Sequence, residues 1–254
     1  MTPGLSDVAI RDRFPRSADY DQTWVVDHSM GPNALWLTEF LVESLTLEPG
    51  MRVLDHGCGM GMTSIFLARE FGVEVWANDL WISAEDNTRR FSDVGLVDQI
   101  HAVHADARAL PYETDFFDAI VSMDAYHYFG TDDMYLGYLS QFLKTGGQLG
   151  IVCPGLMSEF ELDPPEHLHA GWHWQFASFH SAAWWSRHWQ RSGKVEVSCA
   201  DTLAEGWRFW AHWDRVYESA KGTSGDADTV ERDAGRHLTF VRVVARKRDA
   251  PRWG

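Results

Sequence analysis

The residues best suited to chemistry sit in one short run, Val53-Leu54-Asp55-His56-Gly57-Cys58-Gly59-Met60-Gly61. An apolar stretch passes straight into a loop with Gly at three alternate positions, then into a helix-like segment. Alternating glycines let the backbone take positive φ and approach a ligand with no side chain between. At the carboxyl end of a parallel strand, such a loop lies where open α/β sheets bind ligands. A dinucleotide fingerprint would need Gly at 57, 59 and 62, and Met62 breaks it. A pyrophosphate wants open backbone N–H groups at the helix start, so the bulky Met62 argues for a ligand without phosphates. Three acids complete the pattern. Asp55 precedes the glycines, where it would attract an ammonium group. Asp79 falls eighteen residues after Gly61, where a carboxylate can accept both hydroxyls of a ribose. Asp106 follows a third apolar stretch and could accept an exocyclic amine. Each acid alone also reads as a cap, a strand terminator or a turn residue. Together they suit a cationic nucleoside with an amino-acid tail.

The elements that must position these residues follow from periodicity. From Met51 to about Gly155, short apolar runs alternate with helix-like stretches, the signature of βαβ units over a parallel sheet. Strands are expected at 51–55, 73–77, 100–104, 117–122 and 148–153, with helices at 63–71, 84–95 and 133–143. Before them, 32–45 reads as an amphipathic helix. After them the pattern is less regular: a helix start at Pro164-Pro165-Glu166, a helix over 181–192, a strand over 195–200, a loop at 222–228 and a last strand at 237–247. Residues 1–13 read as untethered, and Arg246-Lys247-Arg248 with Arg252 as a solvated tail. The expected fold class is α/β, a Rossmann-like, seven-stranded, mostly parallel sheet with helices on both faces and an antiparallel last strand. One domain spans 1–254: an N-terminal helical or lid segment (1–50), a cofactor-binding half (51–155) and an acceptor-binding half (156–254) with an insertion at 156–180.

This order of motifs resembles the class I S-adenosylmethionine-dependent methyltransferases of small-molecule type, over about residues 30–155. The resemblance implies that Asp55, Gly57, Cys58, Gly59 and Gly61 form the cofactor loop, with the Cys58 backbone rather than its thiol in use. It implies that Asp79 holds the ribose with Leu80 beside the adenine, that Asp106 and Ala107 lie on the adenine side, and that Met123, in Ser122-Met123-Asp124, lies near the methionine end. The cofactor would be S-adenosyl-L-methionine, with S-adenosyl-L-homocysteine as product. The acceptor would meet the methyl near the end of the fourth strand. His127 stands where such enzymes often carry a polar residue, and its titration near neutrality suits a general base, although it could equally bridge backbone groups. Tyr20, with His28, Met30 and Gly31, belongs to an N-terminal segment expected to fold over the cofactor, as a second base or lid residue. Cyclopropanation, cyclisation, elimination or non-catalytic cofactor binding are the alternatives.

Tyr126, Tyr128, His169, Trp172 and His173 are expected to wall the acceptor pocket. His169 and His173 stand four apart, at metal-ligand spacing on a helix, but Gly171 weakens that helix and spacing supplies no third ligand, so no metal is expected. The chain holds 13 Trp, far above ordinary usage, which reads as core mass or an aromatic-walled pocket. With 22 basic against 37 acidic residues, a net charge of −15 disfavours nucleic acid and anionic membranes. Three scattered Cys make no disulfide framework, and the N-terminus lacks a signal pattern. A cytoplasmic protein with a small-molecule acceptor is expected. The oligomeric state is open, a homodimer being one reading.

Overall fold

The computed structural model describes Gly4 and residues 8–250. Its centre is a seven-stranded sheet in the order β3-β2-β1-β4-β5-β7-β6. Its strands are β1 (Arg52–His56), β2 (Glu74–Asp79), β3 (Ile100–His104), β4 (Phe117–Met123), β5 (Leu143–Leu156), β6 (Val195–Thr202) and β7 (Leu238–Lys247). The first five are parallel, whereas β7 runs antiparallel to both β5 and β6. The expected architecture is therefore the observed one. Strand order reverses beside β1, which pairs with β2 on one side and β4 on the other. The carboxyl end of β1 thus opens onto the crevice where such sheets bind ligands.

Among the described residues, eight α-helices surround the sheet: α1 (Gln22–Asp27), α2 (Ala34–Val42), α3 (Met62–Phe71), α4 (Ala84–Asp93), α5 (Tyr135–Leu139), α6 (Ala182–Arg191), α7 (Gly206–Lys221) and α8 (Ala227–Asp233). Alternation along the strands separates two cores. Val75 and Ala77 face a layer that includes Leu35, Phe66, Phe91 and Trp213. Trp76 faces the other, which holds Tyr126, Leu139, Trp185 and Trp189. Trp36, Trp185, Trp189, Trp210 and Trp213 are all at most 3% exposed, so core mass accounts for much of the tryptophan content. Trp81 and Trp174 stand out in the open. No helix among the described residues is long and apolar enough to cross a membrane.

Three expectations change. Residues 8–13 are tethered, because Val8 and Phe14 are buried and Phe14 stacks on Trp36 at 5.3 Å; residues 1–3 and 5–7 lie outside the described residues. The basic end is not a free tail either: Lys247 Nζ reaches Asp115 Oδ1 at 2.7 Å and Arg248 Nε donates to Val195 O at 3.1 Å. Arg252 lies outside the described residues. Finally, 166–178 forms two 3-10 segments, Glu166–Gly171 and Trp174–Ser178, rather than an α-helix. Gly171 lets this segment press against α8, since a Cβ there would come within 1.7 Å of Thr229 Oγ1.

The N-terminal strap is capped at each helix it contains. Asp21 Oδ1 accepts from Thr23 N and Trp24 N, and Asn33 Oδ1 from Leu35 N and Trp36 N. Between the two helices, Trp213 Nε1 donates to Gly31 O at 2.8 Å, anchoring the strap to α7. Trp213→Phe should lower unfolding free energy by about 1–3 kcal/mol, from the lost hydrogen bond and a small cavity. Urea denaturation checks this, and a change below about 0.5 kcal/mol would show that the anchor carries no stability.

Candidate active site

The glycine loop takes its shape from positive φ and close contact. Gly57 and Gly61 have φ of +78° each. A Cβ at 57 would come 2.4 Å from Ala125 Cβ, and one at 61 would come 2.4 Å from the Phe91 ring. Both positions therefore exclude side chains on two counts. The end of β2 holds this loop in place. Gly57 N and Cys58 N both donate to Asn78 O, at 2.9 and 3.0 Å. Asp79 Oδ2 accepts from Gly59 N at 2.8 Å, while Oδ1 accepts from Trp81 N and Ile82 N at 2.7 and 3.0 Å.

Above the loop is a cavity of ≈ 300 Å³. It is bounded by the ends of β1, β2 and β4, the turn after β3, and the strap from His28 to Ala34. Of the residues singled out from sequence, Gly57, Cys58, Gly59, Asp79, Leu80, Asp106, Ala107, Met123 and Tyr128 line it, as do His28, Met30 and Gly31. Asp106 Oδ1 is also bonded to Arg108 N at 2.8 Å, which shapes the turn after β3. The Cys58 thiol is held protonated, its proton affinity raised well above the ordinary value by burial.

Asp55 is placed elsewhere. It is 1% exposed beneath the loop and does not line the cavity; Ser64 Oγ donates to its Oδ2 at 2.6 Å. Burial pushes its carboxyl up to about 7, with Asp79 adding to the rise. Gly61 likewise lies off the cavity, as the residue from which α3 starts. Both serve the loop from below.

The two residues expected to move protons are also off the cavity. Tyr20 donates to Glu70 Oε1 at 3.2 Å, and burial together with Glu70 holds its hydroxyl protonated. His127 is 2% exposed, tucked between Tyr128 and Phe179, and burial lowers it to about 4. Its Nδ1 has no partner among the described residues. Tyr126 is fully buried against Trp185 and Trp189, a core position rather than a pocket wall.

The histidine segment does not converge on a site. His169 Nε2 donates to Pro164 O at 2.7 Å, and His173 Nε2 to Asp226 Oδ1 at 3.2 Å. Trp172 packs on Phe160 and Phe176. None of the three lines the cavity. Once the segment winds as 3-10 turns, the four-residue spacing no longer brings two rings onto one helix face. A different trio, His167, Asp233 and His237, places one potential ligand atom from each within 4.8 Å of the others. There Asp233 already accepts from His167 Nε2 and from two backbone N–H groups.

Sequence reasoning does not single out His56, Asn78 or Trp81, although all three line the cavity. His56 Nδ1 bonds Asn78 Oδ1 at 2.9 Å, and its Nε2 bonds the Tyr135 hydroxyl at 2.6 Å. Asn78 Nδ2 donates to Ala105 O at 3.0 Å, and the Tyr135 hydroxyl, whose one proton goes to the neutral His56 Nε2, lies 3.0 Å from Ala107 O. The chain of bonds braces the turn after β3. Burial keeps His56 neutral by lowering it to about 4. The available signal was adjacency to the glycines and to Asp79. Asp124, at the end of β4, also lines the cavity, with φ +52° and burial pushing its carboxyl up to about 8.

Comparison with known proteins agrees with this geometry. Residues 53–147 match a family model described as a methyltransferase domain. Methyltransferase GfsG of Streptomyces halstedii is 35% identical over 117 residues, 46% of this chain and 42% of that protein. Sterol 4-C-methyltransferase strm-1 of Caenorhabditis elegans is 26% identical over 141 residues, 54% of this chain and 41% of that protein. The match thus spans about two fifths of the length of these curated relatives. Among solved structures, geranyl diphosphate C-methyltransferase from Streptomyces coelicolor A3(2) is similar with a TM-score of 0.66 at 18% identity, covering 83% of this chain and 76% of that one. The [4+2]-cyclase SpnF is similar with a TM-score of 0.65 at 19% identity, covering 84% and 80%. At these identities the structures share the fold.

The buried acids set a pH dependence. Asp55 and Asp214 are pushed up to about 7 and Asp124 to about 8, each first by burial. Each folded value lies above the ordinary 3.8, so the native state keeps a proton that the unfolded chain releases. Stability is then lost as pH rises from about 4 up to each folded value, by about 1.4 kcal/mol per pH unit for each group, and the loss levels off above it. His56 and His127, lowered from 6.5 to about 4, oppose that loss between those values, so the net fall shows above pH 6.5. The urea midpoint should fall between pH 6.5 and 8.5, less steeply in Asp124→Asn; equal slopes would contradict the assignment of Asp124.

Proposed function

From the premise that this chain belongs to the class I S-adenosylmethionine-dependent methyltransferase family, we propose that it binds S-adenosyl-L-methionine in the cavity over the glycine loop and methylates a small-molecule acceptor. The observation that carries this reading is the cradle itself. Bare main chain at Gly57 and Gly59 faces the cavity, while Asp79 and Asp106 supply negative charge around it. A diphosphate would be repelled there, and a sulfonium with an ammonium tail would be attracted. Among the described residues, Arg108, on the β3 side, is the one Lys or Arg that lines the cavity.

The residues fit the parts of such a ligand. Asp79 retains acceptor capacity for ribose hydroxyls, since each carboxylate oxygen can accept more than one bond. Leu80 and Ala107 offer apolar surface for a base, and Asp106 can accept from its amine. Met123 and the loop backbone border the amino-acid end. When bound, the cofactor supplies an activated methyl on cationic sulfur, which an acceptor takes by in-line displacement. The chain's part is alignment and exclusion of water, with the strap at His28–Ala34 covering the cavity. His127 and Tyr20 carry no proton transfer in this reading. Residues 51–155 hold the cofactor and 156–254 complete one catalytic unit. Cyclisation, suggested by one structural neighbour, differs in leaving the methyl untransferred.

Calorimetry with S-adenosyl-L-methionine, S-adenosyl-L-homocysteine and NAD tests the cofactor directly, and tighter NAD binding would end the proposal. Asp79→Ala should weaken cofactor binding by about 1–3 kcal/mol, the cost of leaving hydrogen-bonding groups unmatched, or roughly 5- to 150-fold in Kd. Methyl-labelled cofactor followed by mass spectrometry of products separates transfer from cyclisation.

A further inference from the structure

One group on the cavity wall is left without a use by the cofactor alone. Asp124 lines the cavity at the end of β4, and its Oδ2 lies against Gly31, where a Cβ would come within 2.3 Å of it. Its carboxylate accepts no hydrogen bond among the described residues. The charged groups acting on it are also acids: Asp214 on α7 and Asp226 just before α8, with no Lys or Arg among them. Asp214 Oδ2 accepts from Asp226 N at 2.7 Å, and Asp226 pairs with His173. An unpartnered acid backed by two more is a poor arrangement unless a cation arrives from outside.

Aromatic rings line the same cavity, and Asp124 acts electrostatically on Tyr128. Tyr128 and Trp81 both line the cavity, with ring centroids 6.3 Å apart, and Phe129 lines it as well. Ring faces attract cations, and more strongly where water is partly excluded. A neutral hydroxyl would draw a hydrogen bond from the carboxylate alone and a carbon nucleophile would draw on neither component, whereas an ammonium would draw on both. Resting on the proposed methyl transfer, we propose that Asp124, beside the Trp81–Tyr128 ring pair, receives the cationic nitrogen of the acceptor, so that the substrates are amines rather than alcohols, phenols or carbon nucleophiles.

The step balances with no further reactant. The ammonium gives one proton to an Asp124 oxygen, leaving a neutral nitrogen with a free lone pair. That lone pair forms the N–CH3 bond as the S–CH3 bond breaks, and the breaking pair stays on sulfur. The products are an N-methylammonium, a thioether and a protonated Asp124, which returns its proton to solvent. Burial and the two neighbouring acids push the Asp124 carboxyl up to about 8, a range in which a base can both take and release a proton near neutrality.

Asp124→Asn is the informative variant. It keeps the shape, and Asn tolerates the left-handed backbone found at φ +52°. Wild type and variant are first titrated with S-adenosyl-L-homocysteine, then incubated with methyl-labelled S-adenosyl-L-methionine and two pools, one of primary and secondary amines, one of alcohols and phenols. The expected result is label on nitrogen in wild type only, at least roughly a hundredfold loss in the variant, and S-adenosyl-L-homocysteine affinity unchanged within about threefold. Label on oxygen or carbon, amine turnover surviving in Asp124→Asn, or no label from either pool despite S-adenosyl-L-homocysteine binding each overturns the inference. So does a variant whose S-adenosyl-L-homocysteine affinity falls more than tenfold, since Asp124 would then serve the cofactor. Failure of wild type to bind S-adenosyl-L-homocysteine at all would instead overturn the proposed function.

Discussion

A single carboxylate gathers the site. Asp79 takes Gly59 N–H on one oxygen and Trp81 and Ile82 N–H on the other, so the loop after β1 and the turn after β2 share one anchor. Without it, three main-chain donors at the rim of a cavity would need other partners, and each unmatched group costs about 1–3 kcal/mol where water is excluded. The glycines answer the same constraint from the other side. Pulled toward β2 by Asp79 and Asn78, the loop closes on Ala125 and Phe91 so tightly that no Cβ fits at 57 or 61. Parallel register then brings the ends of β1, β2 and β4 level, which makes the bare main chain the wall of one cavity.

Much of this arrangement was legible in the residues. Strands and helices between 51 and 155 alternate with clear periods, because each must bury one face against the sheet. The glycine spacing, Asp79, Asp106 and Ala107 could be placed because they follow directly on strand ends. Asp55 shows the limit of such reading. An acid before the glycines can face the ligand or turn beneath the loop, and only the packing of α3, which brings Ser64 to its carboxylate, decides between them.

The less regular half was harder for physical reasons. Helix α7 is long, yet its inward face is built from Trp210, Trp213 and Val216, and aromatic and β-branched residues are weak helix formers by themselves. Tertiary burial, not local preference, makes it a helix. The same holds for the strap over residues 8–33, whose few apolar side chains only acquire meaning against α2, α3 and α7. The histidine-rich stretch reads as a ligand cluster in one dimension. In three, His167, His169 and His173 each turn to a different partner. Asp124 and Asp214 lie 90 positions apart, and no spacing rule could have joined them.

The account stands or falls on what the bare loop receives. Crystals soaked with S-adenosyl-L-homocysteine offer the most direct measurement, through the electron density over residues 57–61. The account predicts the homocysteine chain along that main chain, both ribose hydroxyls on Asp79 and the base between Leu80 and Ala107. Density for the ligand elsewhere, or a phosphorylated nucleotide bound in that place in preference to it, would contradict the account.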